Sequence, residues 1–210
     1  ANRPGARVIS NAVMDQIADV RNDRRMSELV TFFGQFIDHT IVETPTNRAK
    51  PSPIPVPSND PEVEAPINFS RSVLVGRRNP LNTLTSFIDA SSVYGVEEER
   101  VQALRLGRDG KLKTGRNNLL PDNEEGLENA PNTSAEFFIA GDIRANENPM
   151  LISLHTLFVR EHNVIAEEIE SAFPRFNDTQ IFRLARKINS AQLQKIVYEE
   201  WLPALLGNEI

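Results

Sequence analysis

Three polar residues on one predicted helix have the spacing of a site that handles protons. Gln35 and His39 lie four residues apart, and Asp38 lies three after Gln35, so all three project to roughly one side of a helix. A histidine with an amide one turn before it can exchange a proton with a polar ligand. The alternative is a helix that carries one partly buried, hydrogen-bonded histidine, and this segment alone leaves both interpretations open.

A second candidate segment precedes a predicted helix start at Pro149. It contains Arg144, and Glu147 follows three residues later. Arginine is always charged and presents a planar fork of donors, so it can stabilise negative charge that develops on an oxygen atom. An ordinary surface Arg–Glu pair of little energetic value is the alternative.

A third segment, residues 85–91, offers oxygen atoms only. Thr85, Asp89 and Ser91 occur at near-alternating positions, and backbone carbonyls of such a turn can complete a ligand shell. Calcium takes six to eight oxygen ligands. The alternative is a turn in which these side chains bond to their own backbone.

Helices must position these segments, and the sequence predicts a mostly α fold with long loops and little β structure. Apolar residues recur at steps of three and four from Ser27 to before Pro45, again from Pro149 to Phe173, and again from Asn177 or Asp178 towards Trp201. A weaker helical pattern runs from Ser10 to Val20. Residues 45–66 hold seven of the 14 prolines, which predicts an extended surface loop. Residues 107–131 are rich in turn residues and are also predicted as a loop.

Composition excludes several classes of function. The 210 residues include 29 acidic and 23 basic side chains, a net charge of −6, which argues against a nucleic acid as partner. Because cysteine is absent, disulfides, thiolate metal sites and cysteine nucleophiles are excluded. Only three histidines are present. No apolar run approaches the roughly 18 residues of a membrane-spanning helix.

The candidate segments occur together in an order that resembles the animal-type haem peroxidases, the peroxidase–cyclooxygenase superfamily. The resemblance covers the chain from about residue 8 to its end. The residues that carry it are Gly34-Gln-Phe-Ile-Asp-His39, Leu84-Thr-Ser-Phe-Ile-Asp-Ala-Ser-Ser-Val-Tyr-Gly95, Gly141-Asp-Ile-Arg-Ala-Asn-Glu147, His155-Thr-Leu-Phe-Val-Arg-Glu-His-Asn163 and Tyr198-Glu-Glu-Trp-Leu-Pro-Ala-Leu-Leu-Gly207.

The resemblance implies a role for each catalytic candidate. His39 matches the distal histidine, which takes a proton from hydrogen peroxide and returns it to the departing oxygen. Arg144 matches the distal arginine, which stabilises charge during O–O cleavage. Gln35 matches a glutamine associated with water or halide binding. Asp38 and Glu147 match two carboxylates that form ester bonds to haem b. The implied substrates are hydrogen peroxide and halide, pseudohalide or phenolic donors.

The resemblance also implies calcium. Thr85, the carbonyl of Phe87, Asp89 and Ser91 match the calcium loop of the family. Thr40 stands where the family usually has a further aspartate ligand, so we expect weaker calcium binding, because ligand charge sets the affinity. Asn148 stands where one branch of the family has a methionine bonded to haem, so that bond should be absent here.

The proximal histidine that holds the iron has no counterpart in the sequence. His155 and His162 match a helix that the family uses for packing. We therefore expect residues 1–210 to be an incomplete haem peroxidase domain, with the proximal half following Ile210. Two alternatives stay open, a haem fatty-acid oxygenase and a non-catalytic adhesive or matrix module. The resemblance further suggests an extracellular or secreted protein.

Overall fold

The computed structural model describes residues 3–207, and helices dominate it. Helices hold 43% of the chain and strands 9%, which confirms the predicted mostly α fold. The helices are α1 (Ala6–Met14), α2 (Leu29–Ile41), α3 (Ser91–Tyr94), α4 (Glu98–Leu104), α5 (Pro149–Ala172), α6 (Asp178–Ile196) and α7 (Leu202–Leu206), with a 3₁₀ turn at Arg116–Asn118 and a π-helical turn at Val197–Trp201. The strands are β1 (Thr46–Pro51), β2 (Ser70–Ser72), β3 (Leu74–Val75) and β4 (Asn79–Pro80).

The chain forms two compact units, and the smaller one comprises residues 1–25 and 43–83. In it, β1 pairs antiparallel with β2, and β3 pairs antiparallel with β4. The proline-rich segment 45–66 is therefore not wholly a loop, because its first residues form β1. A strand of a two-stranded sheet bonds to a partner on one edge only, so Pro51 can end it without breaking an inner ladder.

Helix α1 differs from the prediction in its position. It spans Ala6–Met14 and ends where Asp15 adopts an extended backbone, so Ile17 and Val20 lie outside it and are exposed. None of its residues is buried. Within this unit the Arg7 guanidinium donates to both carboxylate oxygens of Asp60, at 2.7 and 2.8 Å.

The larger unit comprises residues 26–42 and 84–210, and its core forms where α2 meets α5. The Phe36 ring is fully buried and stacks on Phe158 with 5.1 Å between centroids. The Trp201 indole donates to the Val30 carbonyl at 2.8 Å. A Cβ at Gly34 would lie 3.0 Å from the Trp201 ring, so a glycine lets the indole approach the helix. These contacts fix the face of α2 that carries Gln35 and His39.

The two long helices begin where their capping residues predict. Asn148 caps α5, with Pro149 as its first residue. Asn177, one of the two predicted caps, starts α6 in a capping box with Gln180. Residues 107–131 are largely irregular as predicted, although Leu112 and Leu120 in this segment are buried. Within residues 3–207, no helix is long and apolar enough to cross a membrane.

Candidate active site

The three polar residues that the sequence placed on one side of α2 differ in their exposure. His39 is 4% exposed, Gln35 is half-buried and Asp38 is exposed. Burial lowers the pKa of His39 below its usual value, and the positive charge of Arg144 lowers it further. The imidazole is therefore neutral near pH 7, as a group that accepts a proton must be.

The Arg144 guanidinium is held by a buried aspartate. Its Nε donates to Asp142 Oδ1 at 2.9 Å and its Nη2 to Asp142 Oδ2 at 2.7 Å. A further bond joins Nη2 to the Val42 carbonyl at 3.1 Å, which ties the guanidinium to the end of α2. Asp142 thus accepts both bonds from the fork of Arg144, which is the two-bond geometry that arginine forms with a carboxylate.

Asp142 was not recognised from the sequence. It is 3% exposed, and its Oδ1 also accepts from the Arg144 backbone N–H at 2.8 Å. This contact between residues two apart is the turn that aspartate forms with its own backbone, so the Asp-x-Arg spacing was a usable signal. The turn presents carboxylate and guanidinium together.

His39 lies between two carboxylates. Its Nδ1 is 3.5 Å from Asp142 Oδ1, and its Nε2 is 3.7 Å from Glu147 Oε2. Nδ1 is buried and has no hydrogen-bond partner among residues 3–207. The Glu147 side chain is 43% exposed, whereas that of Asp142 is 1% exposed. The open side of the imidazole is therefore the Nε2 side.

Gln35 joins α2 to the start of α5. Its Nε2 donates to Glu147 Oε2 at 2.6 Å, and its Oε1 accepts from Asn148 Nδ2 at 2.9 Å. The structure thus brings Gln35, His39, Arg144 and Glu147 together across more than 100 residues of sequence. The role of Asn148 was also missed, although an asparagine before Pro149 is a helix-cap signal.

The donor set fits a haem held by its periphery. Asp38 is exposed and Glu147 is nearly half exposed, so both carboxylates are accessible for ester bonds. A buried neutral imidazole and an arginine with its own counter-ion lie beside Glu147. Asn148 has no thioether and uses its amide in the α5 cap and in the bond to Gln35.

The predicted calcium ligands lie in a loop whose hydrogen bonds use the same oxygen atoms. Ser91 Oγ donates to the Thr40 carbonyl at 2.7 Å, which joins the loop to α2. Asp89 Oδ1 accepts from Ser91 N at 2.9 Å, and Thr85 Oγ1 accepts from Phe87 N at 3.3 Å. These last two contacts are side-chain-to-backbone turns, as the alternative interpretation of the segment expects.

Thr40 contributes differently from the aspartate that it replaces. Its hydroxyl donates to the Phe36 carbonyl at 3.0 Å and lies 2.7 Å from Ser92 Oγ. The side chain is fully buried. The Thr40 carbonyl accepts from Ser91. Because threonine has no carboxylate, Asp89 is the single carboxylate in the predicted ligand set. In the part of the chain that the structure describes, no three histidine, aspartate or glutamate side chains form a metal-binding group.

His155 and His162 lie inside the helical core. Both are fully buried, and burial lowers the pKa of each to about 4. His162 Nε2 lies 2.9 Å from the Gly110 carbonyl, and Nδ1 lies 2.9 Å from the Tyr94 hydroxyl. His155 packs edge-on against Phe36, with 5.0 Å between the ring centroids.

Comparison with known proteins identifies the family of the chain. The profile of the animal haem peroxidase family matches residues 1–210. Mouse myeloperoxidase is 34% identical over 97% of this chain, which covers 34% of that protein. The chain thus spans about a third of the length of this relative.

Two solved structures share the fold. Peroxidase A from Dictyostelium discoideum superposes with a TM-score of 0.83 and 27% identity, over 97% of this chain and 45% of that one. A fatty acid alpha-dioxygenase from Arabidopsis thaliana has a TM-score of 0.79 at 23% identity, over 97% of this chain and 31% of that one. With its matching profile, relatives and fold, the chain belongs to the animal haem peroxidase family.

Proposed function

We propose that this chain carries the distal side of a haem peroxidase that reduces hydrogen peroxide. One observation carries the proposal most directly. A buried, neutral His39 lies between Asp142 and Glu147, and Asp142 also holds the guanidinium of Arg144. A base and a fixed positive charge in one place are the two groups that heterolysis of a peroxide bond requires.

His39 is the proton carrier in this proposal. Its Nε2 side is the more open one, because Glu147 is far more exposed than Asp142. Nε2 would accept a proton from one peroxide oxygen and return it to the departing oxygen. Arg144 would stabilise the negative charge on that oxygen. Its two bonds to Asp142 keep the guanidinium in place, so little reorganisation is needed during the reaction.

The proposed cofactor is haem b, ester-linked through Asp38 and Glu147. When bound, the haem supplies the redox chemistry with peroxide and with the reducing donor. The accessible carboxylates support this assignment. Gln35 would bind a water molecule or a halide beside His39. The proposed donors are halides, pseudohalides or phenols, and we propose an extracellular or secreted location.

We propose that the proximal iron ligand comes from outside these 210 residues. His39 belongs to the distal site, and His155 and His162 are fully buried in the helical core. Burial without an open coordination position does not suit a haem ligand. The 210-residue chain mixed with haem should therefore give neither a normal ferric Soret band nor normal reactivity with peroxide. An absorption spectrum that shows both would contradict this proposal.

We also propose that calcium binds Thr85, the Phe87 carbonyl, Asp89, Ser91 and the Thr40 carbonyl. The 2.7 Å bond between Ser91 and Thr40 brings two of these oxygen atoms together. Asp89 is the single carboxylate of the set, so we expect weaker binding than in a site with two.

The proposed activity is tested in a protein that contains the complete domain. His39→Ala should lower the rate of peroxide consumption by about 10²–10⁴-fold, the usual contribution of a positioned acid–base group. Arg183→Ala, at an exposed arginine of α6, is the control and should leave the rate unchanged. Retention of the full rate by His39→Ala would contradict the proposal. If the complete domain keeps its ligand binding but never consumes peroxide, that result would favour the adhesive or matrix alternative. If it oxygenates fatty acids, that result would favour the oxygenase.

A further inference from the structure

We propose that Asn148 is a positioning residue that sets the direction of the Gln35 amide and so makes the distal site select anionic ligands. Its side chain bonds at both ends. Oδ1 accepts from the Leu151 backbone N–H at 2.8 Å, and Nδ2 donates to Gln35 Oε1 at 2.9 Å. The part of the inference that concerns ligands rests on the function proposed above.

The direction of both amides follows from one backbone group. An amide N–H can only donate, so the end of Asn148 that meets Leu151 N must be its oxygen. The other end is then the NH₂ group, which must meet the oxygen of Gln35. The remaining end of Gln35 is its own NH₂ group, and it is directed at Glu147 Oε2, 2.6 Å away. Ring and amide orientations are normally assigned from such networks, and here the network allows a single assignment.

The NH₂ group of Gln35 therefore lies on the side of His39. Glu147 Oε2 is 2.6 Å from Gln35 Nε2 and 3.7 Å from His39 Nε2. This oxygen is itself anionic, so it shows which kind of ligand the donor accepts at that position. The Gln35 NH₂ group has two hydrogens, so the one that is not directed at Glu147 would be available for a halide or another small anion. A reversed amide would present an oxygen instead and would repel the same ligand.

The cap and the orienting bond can be separated by one substitution. Asn148→Asp keeps an oxygen for Leu151 N, because aspartate caps helices about as well as asparagine. It replaces the NH₂ donor with a second oxygen. Gln35 then has a carboxylate at each end and can direct its NH₂ group at only one of them, so that group should divide between Glu147 and the new carboxylate. The matched control is Asn177→Asp, since Asn177 Oδ1 caps α6 by accepting from Gln180 N at 3.0 Å.

Nuclear magnetic resonance of the 210-residue chain tests the orientation without any haem. In the wild-type chain, the Gln35 amide protons should show nuclear Overhauser effects to the Glu147 side chain. In Asn148→Asp these effects should weaken, and new ones should connect the Gln35 amide to the β protons of residue 148. Asn177→Asp should show the wild-type pattern. The wild-type pattern in Asn148→Asp, with the chain folded, would overturn the inference.

Bromide tests the selectivity in the haem-loaded complete domain. Asn148→Asp should raise the KM for bromide by about tenfold, the loss expected for a hydrogen bond to a charged group, whereas Asn177→Asp should leave the KM for bromide at the wild-type value. An unchanged KM for bromide would overturn the link to anion selectivity. If the wild-type domain consumes no peroxide, the proposed function fails, whereas the resonance experiment still decides whether Asn148 orients Gln35.

Discussion

Acid should lower the free energy of unfolding of this protein, because His162 takes up a proton more readily in the unfolded chain than in the folded one. His162 is fully buried between the Gly110 carbonyl and the Tyr94 hydroxyl. A carbonyl can only accept, so Nε2 carries the hydrogen, and Nδ1 accepts from the tyrosine. The native site therefore holds the neutral imidazole, and burial lowers its pKa to about 4.

The magnitude follows from the difference between the two states. In the unfolded chain the histidine has a pKa of about 6.5, so it binds a proton there at a higher pH than in the native state. The stabilising contribution is fully present above pH 6.5 and is lost as the pH falls towards 4. Between pH 7 and pH 4, linkage to these two pKa values removes about 3 kcal/mol from the free energy of unfolding.

The assay compares urea unfolding of the wild-type chain and His162→Gln at pH 7, 5.5 and 4. A glutamine can accept from Tyr94 and donate to Gly110 without taking up a proton. The variant starts with a lower stability at pH 7, because the replacement does not fill the site perfectly. Its stability should then fall by about 3 kcal/mol less than that of the wild type between pH 7 and 4. Parallel pH profiles of the two proteins would refute the reasoning.

Three further predictions concern the candidate site. Asp142→Asn should lower the free energy of unfolding by about 3–5 kcal/mol, because it breaks the buried pair in which Asp142 accepts two bonds from the Arg144 guanidinium; urea unfolding measures this, and a loss below about 1 kcal/mol would contradict the assigned pairing. Thr40→Asp should unfold more easily with a calcium chelator, since it places a carboxylate at a fully buried position. Added calcium should raise its melting temperature by more than that of the wild type, and equal shifts would count against the proposed ligands. Gly141→Ala should be strongly destabilised, because a Cβ would lie 2.4 Å from two backbone atoms; circular dichroism melting checks this against Gly5→Ala, where nothing lies within 4 Å.

Local signals in the sequence were sufficient for the larger helices. The repeat of apolar residues located α2 and α5, and the caps located the starts of α5 and α6. Both signals act over one or two turns, so they can be read without knowledge of the rest of the chain. The same approach misplaced α1 and did not find β1. Helix α1 buries none of its residues, so its apolar pattern does not correspond to packing against a core. Strand β1 depends on a partner, β2, that lies more than 15 residues further along the chain.

The site residues were predicted as candidates, but packing decided which of them interact. Gln35 and Glu147 are 112 residues apart in sequence and 2.6 Å apart in space, a contact that exists because α2 packs on α5. Arg144 pairs with Asp142, because a turn buries this carboxylate beside the guanidinium. Residue type and spacing limit what each side chain can do. Which partner a side chain contacts, and how far it is buried from water, depend on elements that only the folded chain brings together.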